Sequence, residues 1–337
     1  MQALVLAGGE GTRLRPLTLS LPKPVIPLAG RPFLTFMLDW LGAHGVDEAL
    51  LSCGYRSEDV ERVLGDSHRG MKLKYVIEEE PLGTAGPLRL ALDSGVLAER
   101  VLVLNGDCLT DIDLTAQLAQ HAETGASGTL ALVPVTDTSS YGVVPTLAGG
   151  EVEAFLEKRP GPAPTNRINA GAYVLERSVV EMVPAGRAVS IEREIFPELV
   201  GNGLYGFDAP DAYWIDIGTP ERYLDATFDL LAGDVSSDLP PSDETGSLIY
   251  EPSLTYGARI GPQAVVGRHC SVGDGTTVER AVLHDNVLVG HNCEIVESVL
   301  AEGVRVGDGA RIGPDAIVGA GVVVEEGARI GPGERVS

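Results

Sequence analysis

The chain has 337 residues, 44% hydrophobic and 22% charged, a length of about two ordinary domains with enough apolar content to bury a core in each. Lys and Arg number 25 against 48 Asp and Glu, for a net charge of −23 at pH 7. That charge argues against nucleic acid or a membrane surface as partner, because both are polyanions, and admits a phosphate-bearing substrate only where local cations or a metal ion dominate.

Ala3–Ala7 reads as a short buried strand that runs into glycines, and Pro32–Ala43 as a helix with Phe33, Leu34, Met37, Leu38 and Leu41 on one face. Ala49–Cys53 reads as strand, Glu58–Leu64 as helix and Leu73–Ile77 as strand. Thr84–Asp93 follows as helix and Val101–Leu104 as an apolar strand ending in Asn105-Gly106-Asp107. This alternation predicts an α/β fold of Rossmann-like character, a mostly parallel sheet covered on both faces. Ligands of such sheets bind beyond the carboxyl ends of the strands, where Gly8-Gly9 and Asn105-Gly106-Asp107 both fall. Glu221–Leu231 reads as a closing helix, and residues 233–247, rich in Pro, Gly, Ser and Asp, as a linker.

From residue 248 the grammar changes. Aliphatic residues recur every sixth position from Leu248, Leu254, Ile260 and Val266 onward, slipping by one at Leu283 and again at Leu300. Gly commonly follows each, and a small residue commonly stands two positions before it. A six-residue period marks a hexapeptide parallel β-helix of roughly five coils. The expected division is therefore 1–232, a linker at 233–247, and a β-helix at 248–337.

No run reaches the ~18 apolar residues of a membrane span, and the opening MQALVLAGGEGTR lacks the basic start and long apolar core of a secretory signal, so the expected location is cytoplasmic. The four Cys, at 53, 108, 270 and 293, have no zinc-type spacing and read as core thiols in a reducing compartment.

The glycine-rich stretch Leu6–Thr18 lacks the third glycine of a Rossmann loop, since Leu14 stands there, and the Gly-Lys-Ser/Thr of a Walker loop. Successive main-chain N–H groups in such a stretch can still cradle phosphate oxygens.

Gly8-Gly9-x-Gly11-Thr12-Arg13-Leu14-x-Pro16-Leu17-Thr18, followed by Pro22-Lys23-Pro24, resembles the signature of the sugar-1-phosphate nucleotidyltransferases. The resemblance extends through Glu80–Gly86, Asn105-Gly106-Asp107, Phe155-x-Glu157-Lys158, Asn169-Ala170-Gly171, Ser190–Pro197 and Trp214–Pro220 into the hexapeptide tail. It implies a nucleotidyltransferase domain followed by a left-handed β-helix, in a homo-oligomer that binds a nucleoside triphosphate and a hexose 1-phosphate. The implied products are a nucleotide-sugar, GDP-mannose in the first reading, and diphosphate. Alternatives left open are glucose 1-phosphate with a thymidine or uridine nucleotide, a second acyltransferase site in the β-helix using His269, His284 or His291 at polar corners, and a non-catalytic regulatory paralogue.

The same resemblance assigns roles. Arg13 and Lys23 meet the phosphates at the reacting centre, the planar fork of Arg13 suiting phosphate oxygens; Arg15 stays open between phosphate and solvent. Asp107 and Asp216 are the implied ligands of Mg2+, with Asp107 counted as catalytic. Leu6, Ala7, Gly8, Gly9, Gly11, Thr12, Gly83 and Thr84 line the nucleotide. Gly142, Glu157, Lys158, Asn169 and Gly171 hold the sugar phosphate. Glu80, just before the Pro81–Gly86 segment, is expected to read the base. Guanine presents N1–H and N2–H2 side by side, and one carboxylate accepts both, so GTP is favoured. Asp111 and Asp113 read as solvent-facing or capping residues.

Overall fold

The short apolar runs become strands in a computed structural model, which describes residues 1–157 and 163–337. The chain divides into two units: Met1–Gly9 with Met37–Trp214, and Glu10–Phe36 with Ile215–Ser337. This partition differs from the expected one at 232 and 248, because residues 10–36 and the closing helix pack with the β-helix.

The first unit is built on β1 (Gln2–Leu6), β2 (Glu48–Cys53), β3 (Met71–Ile77), β4 (Arg100–Asn105), β5 (Gly128–Pro134), β6 (Arg167–Glu176) and β7 (Leu204–Asp208). Their order across the sheet is β7-β5-β6-β4-β1-β2-β3, with Ser67–His68 at the far edge. β4, β1, β2 and β3 pair in parallel, and β6 is inserted antiparallel between β4 and β5. Helices include α1 (Leu34–Ala43), α2 (Ser57–Leu64), α3 (Gly86–Asp93) and α4 (Leu114–Thr124). Leu4, Leu50, Val101, Val103, Tyr173 and Phe196 belong to one buried cluster, as the near-continuous apolar strands require. Asp113 caps α4, its side chain accepting from Ala116 N–H at 3.0 Å. α3 begins two residues later than the sequence suggests, with Ala85 as its N-cap: Ala85 N–H bonds to Val189 O and the Thr84 hydroxyl to Glu192, which tie both residues to the 189–192 segment.

In the second unit the hexads close into coils. Three parallel sheets form, of six, five and four short strands. Val266, Leu283, Leu300 and Val318 stack in register despite the two slips, which the corners absorb. Val272, Val278, Val289, Ile295, Val306 and Ile312 complete the interior. Leu254 departs from the pattern: it is half exposed, in a first coil where it makes only an isolated bridge to Ser271.

The outward row Val265, Val282, Val299 and Ile317 is also buried. On this unit α5 (Pro220–Ala232) packs with the β-helix, Arg280 lying 4.4 Å over the Phe228 ring. Residues 10–36 pack there too. Tyr250 donates to Ala29 O at 2.7 Å, and Pro16 sits against Gly319, where an added Cβ would stand 3.1 Å away. His284, expected at a polar surface corner, is instead buried and 3.0 Å from the Tyr223 hydroxyl, because α5 covers that corner. All four Cys are buried, and burial pushes the Cys53 thiol up to about 12. Among the described residues no helix is long and apolar enough to cross a membrane.

Burial pushes the His284 imidazole down to about 4 from its ordinary 6.5. Between those values the unfolded chain binds a proton that the folded chain does not, so this residue's stabilising share is complete above pH 6.5 and is lost as the pH falls towards 4. The expected loss is about 3 kcal/mol. Urea unfolding at pH 7.5 and 4.5 should show His284→Asn losing less stability between the two than the native protein does; equal losses would contradict the buried neutral ring.

Candidate functional site

In the first unit the carboxyl ends of β1, β2 and β3 converge on Gly8. Ala7 N–H bonds to Ser52 O at 2.9 Å, carrying the chain of β1 past the sheet. A Cβ on Gly8 would stand 3.0 Å from Glu78 Oε1. Glu78 is half-buried; Oε1 accepts the Ser52 hydroxyl at 2.5 Å and Oε2 accepts Leu82 N–H at 3.0 Å. The carboxylate is thus pinned beside the main chain of Gly8, and each oxygen keeps lone-pair capacity. Glu80, the expected base reader, is exposed. The carboxylate that stands beside Gly8 is that of Glu78, which the sequence reading did not single out. The signal for it was its place directly after β3, at the carboxyl end of a parallel strand.

The Pro81–Gly86 loop is held by its other side. Val189 N–H bonds to Leu82 O and Ala85 N–H to Val189 O, both at 2.9 Å. Gly83, with φ +75°, leaves room for that carbonyl: a Cβ would stand 2.5 Å from Val189 O. Thr84 donates its hydroxyl to Glu192 at 2.6 Å and accepts Ile191 N–H at 2.9 Å. Gly83 and Thr84, expected on the nucleotide, also fasten the loop.

At the end of β4, Gly106 N–H bonds to Leu6 O at 2.9 Å, an approach that a Cβ, 2.7 Å from that oxygen, would block. The next residue, Asp107, is half-buried at this rim. Next to β4, β6 shifts register against β5 between Asn169 and Tyr173. Asn169 holds the irregularity, its Oδ1 accepting Gly171 N–H at 3.1 Å and its Nδ2 donating to the Tyr173 hydroxyl at 2.8 Å. Gly171, at φ +74°, lets the Asn105 side chain in; a Cβ would lie 2.5 Å from Asn105 Nδ2. Asn169 N–H also bonds to Gly142 O at 2.9 Å, and a Cβ on Gly142 would stand 3.3 Å from Glu157 Oε2. Gly142, Glu157 and Asn169, expected to share the sugar, are thus brought together. Lys158 lies outside the described residues. Arg193 reaches Glu157 at 3.8 Å, and Tyr141 packs edge-on to Trp214 with centroids 5.4 Å apart. Asp111 accepts Tyr213 N–H at 2.7 Å, a local structural role.

In the second unit Gly11, at φ +60°, packs over the signature lysine: a Cβ would be 3.2 Å from Lys23 Cβ and 2.8 Å from Thr18 Cγ2. Thr18 donates its hydroxyl to Gly11 O at 2.9 Å. Gly9, Thr12 and Arg13 are exposed and Lys23 is half-buried between two prolines. Arg15, exposed as well, pairs with Glu10 at 3.2 Å. The main chain of Gly218 passes beside Arg13, where a Cβ would stand 2.8 Å from Nη2 and 3.2 Å from Asp216 Oδ2. Asp216 Oδ1 forms an ion pair with Arg222 on α5. Thr219 caps that helix, accepting Arg222 N–H at 3.4 Å.

Comparison with known proteins gives these residues their context. The family described as "Nucleotidyl transferase" matches residues 2–233, and "EIF2B subunit epsilon LbH domain" matches residues 253–330. A relative from Mycobacterium tuberculosis named "Mannose-1-phosphate guanylyltransferase" is 43% identical over 302 residues, covering 88% of this chain and 83% of its own. One from Arabidopsis thaliana, "Mannose-1-phosphate guanylyltransferase 1", is 36% identical and covers 95% and 91%. Among solved structures, HddC from Yersinia pseudotuberculosis superposes with a TM-score of 0.60 at 30% identity, over 68% of this chain and 99% of its own.

Gly83→Ala should destabilise the chain by about 1–3 kcal/mol, because both its positive φ and the fixed Val189 carbonyl resist a methyl group. Chemical denaturation measures this; a change below about 0.5 kcal/mol would show that the loop is not fastened as described.

Proposed function

Because the chain belongs to the nucleotidyl transferase family, we propose that it joins GTP to mannose 1-phosphate, giving GDP-mannose and diphosphate. The single observation that carries the choice of base is the Glu78 carboxylate fixed beside Gly8. It accepts the adjacent N1–H and N2–H2 of guanine, whereas uracil and thymine present one N–H between two carbonyls and would be repelled. The names of the Mycobacterium and Arabidopsis relatives support the same base and sugar.

A phosphate oxygen of the sugar phosphate attacks the α-phosphorus of GTP. The bond from that phosphorus to the bridging oxygen breaks, and diphosphate leaves with the electron pair. Such transfers need positioning and charge neutralisation more than covalent help. Arg13 and Lys23 supply the fixed positive charge. Glu157 accepts sugar hydroxyls, the Gly142 main chain borders them, and Asn169 keeps one amide hydrogen and one lone pair for the sugar.

A hard divalent cation, Mg2+ in our reading, suits the carboxylate oxygens on offer. Asp107, at the open end of β4, fits that donor type. Asp216 offers the same atoms but already neutralises Arg222 through Oδ1. When bound, the ion would screen the triphosphate charge.

Diphosphate release measured with four nucleotides and several hexose 1-phosphates tests the reading; a preference for UTP or dTTP would overturn it. Glu78→Gln should lower the GTP-to-UTP ratio of kcat/KM by about 10- to 100-fold, a loss of ~1–3 kcal/mol, while Glu80→Gln leaves it within about twofold. The reverse result would return base reading to Glu80. Asp107→Asn should cut turnover by roughly 100-fold or more with an unchanged melting temperature; near-native turnover would remove Asp107 from the centre.

A further inference from the structure

The strand that carries Asn169 is interrupted there. Asn169 pairs with Leu132 and Tyr173 with Leu130, so Ala170, Gly171 and Ala172 of β6 stand opposite Ala131 alone. Such a bulge unpairs ladder groups and re-aims side chains, which is why bulges collect beside active sites. Here the main chain is held from outside the ladder. Trp214 Nε1 donates to Ala170 O at 2.8 Å, and the buried Gln117 of α4 donates through Nε2 to Ala172 O and Thr129 O, both at 3.1 Å. Gly142 O takes the Asn169 N–H. What remains to be set is the Asn169 side chain.

Hydrogen counting sets it. Gly171 N–H can only donate, so the Asn169 amide atom 3.1 Å away is the oxygen. The other atom, 2.8 Å from the Tyr173 hydroxyl, is therefore Nδ2, and the phenol oxygen accepts. The Tyr173 ring is fully buried and lies edge-on to Phe196 with centroids 5.1 Å apart; burial pushes the phenol up, so it stays protonated. Its own hydroxyl hydrogen has no acceptor among the described residues. A buried donor left unpaired is costly, so phenylalanine would serve the core at least as well. The hydroxyl is accounted for by what it does to Asn169. With Oδ1 on Gly171 and one Nδ2 hydrogen on Tyr173, the planar amide leaves its second hydrogen a single direction.

We infer that Tyr173 is a positioning residue for the hexose 1-phosphate: its hydroxyl, by accepting one Nδ2 hydrogen of Asn169, aims the other at a sugar oxygen. The inference rests on the reading of Asn169 as a sugar contact and adds the group that acts through it. No contact between Tyr173 and substrate is required.

Steady-state kinetics with mannose 1-phosphate and GTP test it. Tyr173→Phe should raise the KM for mannose 1-phosphate about fivefold or more, with kcat and the KM for GTP within about twofold and the melting temperature nearly unchanged. Val60→Ala, a buried change on α2, should lower the melting temperature and leave the KM for mannose 1-phosphate within about twofold. In an Asn169→Ala background the Tyr173→Phe change should add nothing further, because both remove one interaction. Should Asn169→Ala not fold, Asn169→Asp, which keeps the acceptor for Gly171 N–H, takes its place in the cycle. An unchanged KM for mannose 1-phosphate in the Asn169 variant would remove Asn169 from the sugar and this inference with it. A raised KM there beside an unchanged one in Tyr173→Phe would overturn the inference alone. Additive effects, or equal rises in both KM values with a lowered melting temperature, would overturn it as well.

Discussion

At the rim of the first unit's sheet, chain passes chain more closely than any side chain allows. Gly106 crosses the Leu6 carbonyl, Gly83 crosses that of Val189, and Gly171 admits the Asn105 side chain, each at a separation a Cβ would close to 2.5–2.7 Å. These approaches aim the polar groups. Gly106 delivers Asp107 to the end of β4, Gly83 fastens the loop that Glu78 grips from below, and Gly171 makes the shift in β6 that fixes Asn169. Substrate positioning in such a site is a property of main-chain packing, and rigid main chain is what charge-neutralising chemistry requires.

The charge problem is solved locally. A chain of net charge −23 repels polyphosphates at long range, but screening confines that repulsion to about 8–10 Å in physiological salt. Within that distance the fixed cations decide. Arg13 and Lys23 are carried on a segment stiffened by prolines and by Gly11 stacked over the lysine. The acidic surface elsewhere is compatible with anionic substrates for that reason.

The β-helix is more than a tail added to a finished enzyme. Its outward rows differ by face: Arg259, Thr277, Glu294, Arg311 and Arg329 stand on one, and Val265, Val282, Val299 and Ile317 on another, which is buried. α5 and residues 10–36 pack on the same unit, through Phe228 with Arg280, Tyr223 with His284 and Pro16 with Gly319. The segment bearing the signature cations is therefore shaped in part by coils more than two hundred residues further along the chain.

The sequence by itself determined whatever depends on neighbours within a few residues. Short runs of four or five residues specified β1 to β4 but not β5, β6 or β7, the six-residue period specified coils whose interior includes Val266, Leu283 and Leu300, and Gly8 and Asn105-Gly106-Asp107 fell where strands end. Family signatures named Arg13, Lys23, Asp107, Glu157 and Asn169 as candidates by type. What the tertiary structure alone decided are choices among equivalent residues. Three consecutive glutamates, 78 to 80, are alike in sequence, and only Ser52, on a neighbouring strand, and the turned-back Leu82 N–H hold Glu78 beside Gly8. His284 reads as a surface corner until α5, some sixty residues earlier, covers it and brings the Tyr223 hydroxyl to its Nε2. Local pattern sets conformation because backbone sterics act over a few residues; burial and hydrogen-bond partners come from segments that meet only when the chain has folded.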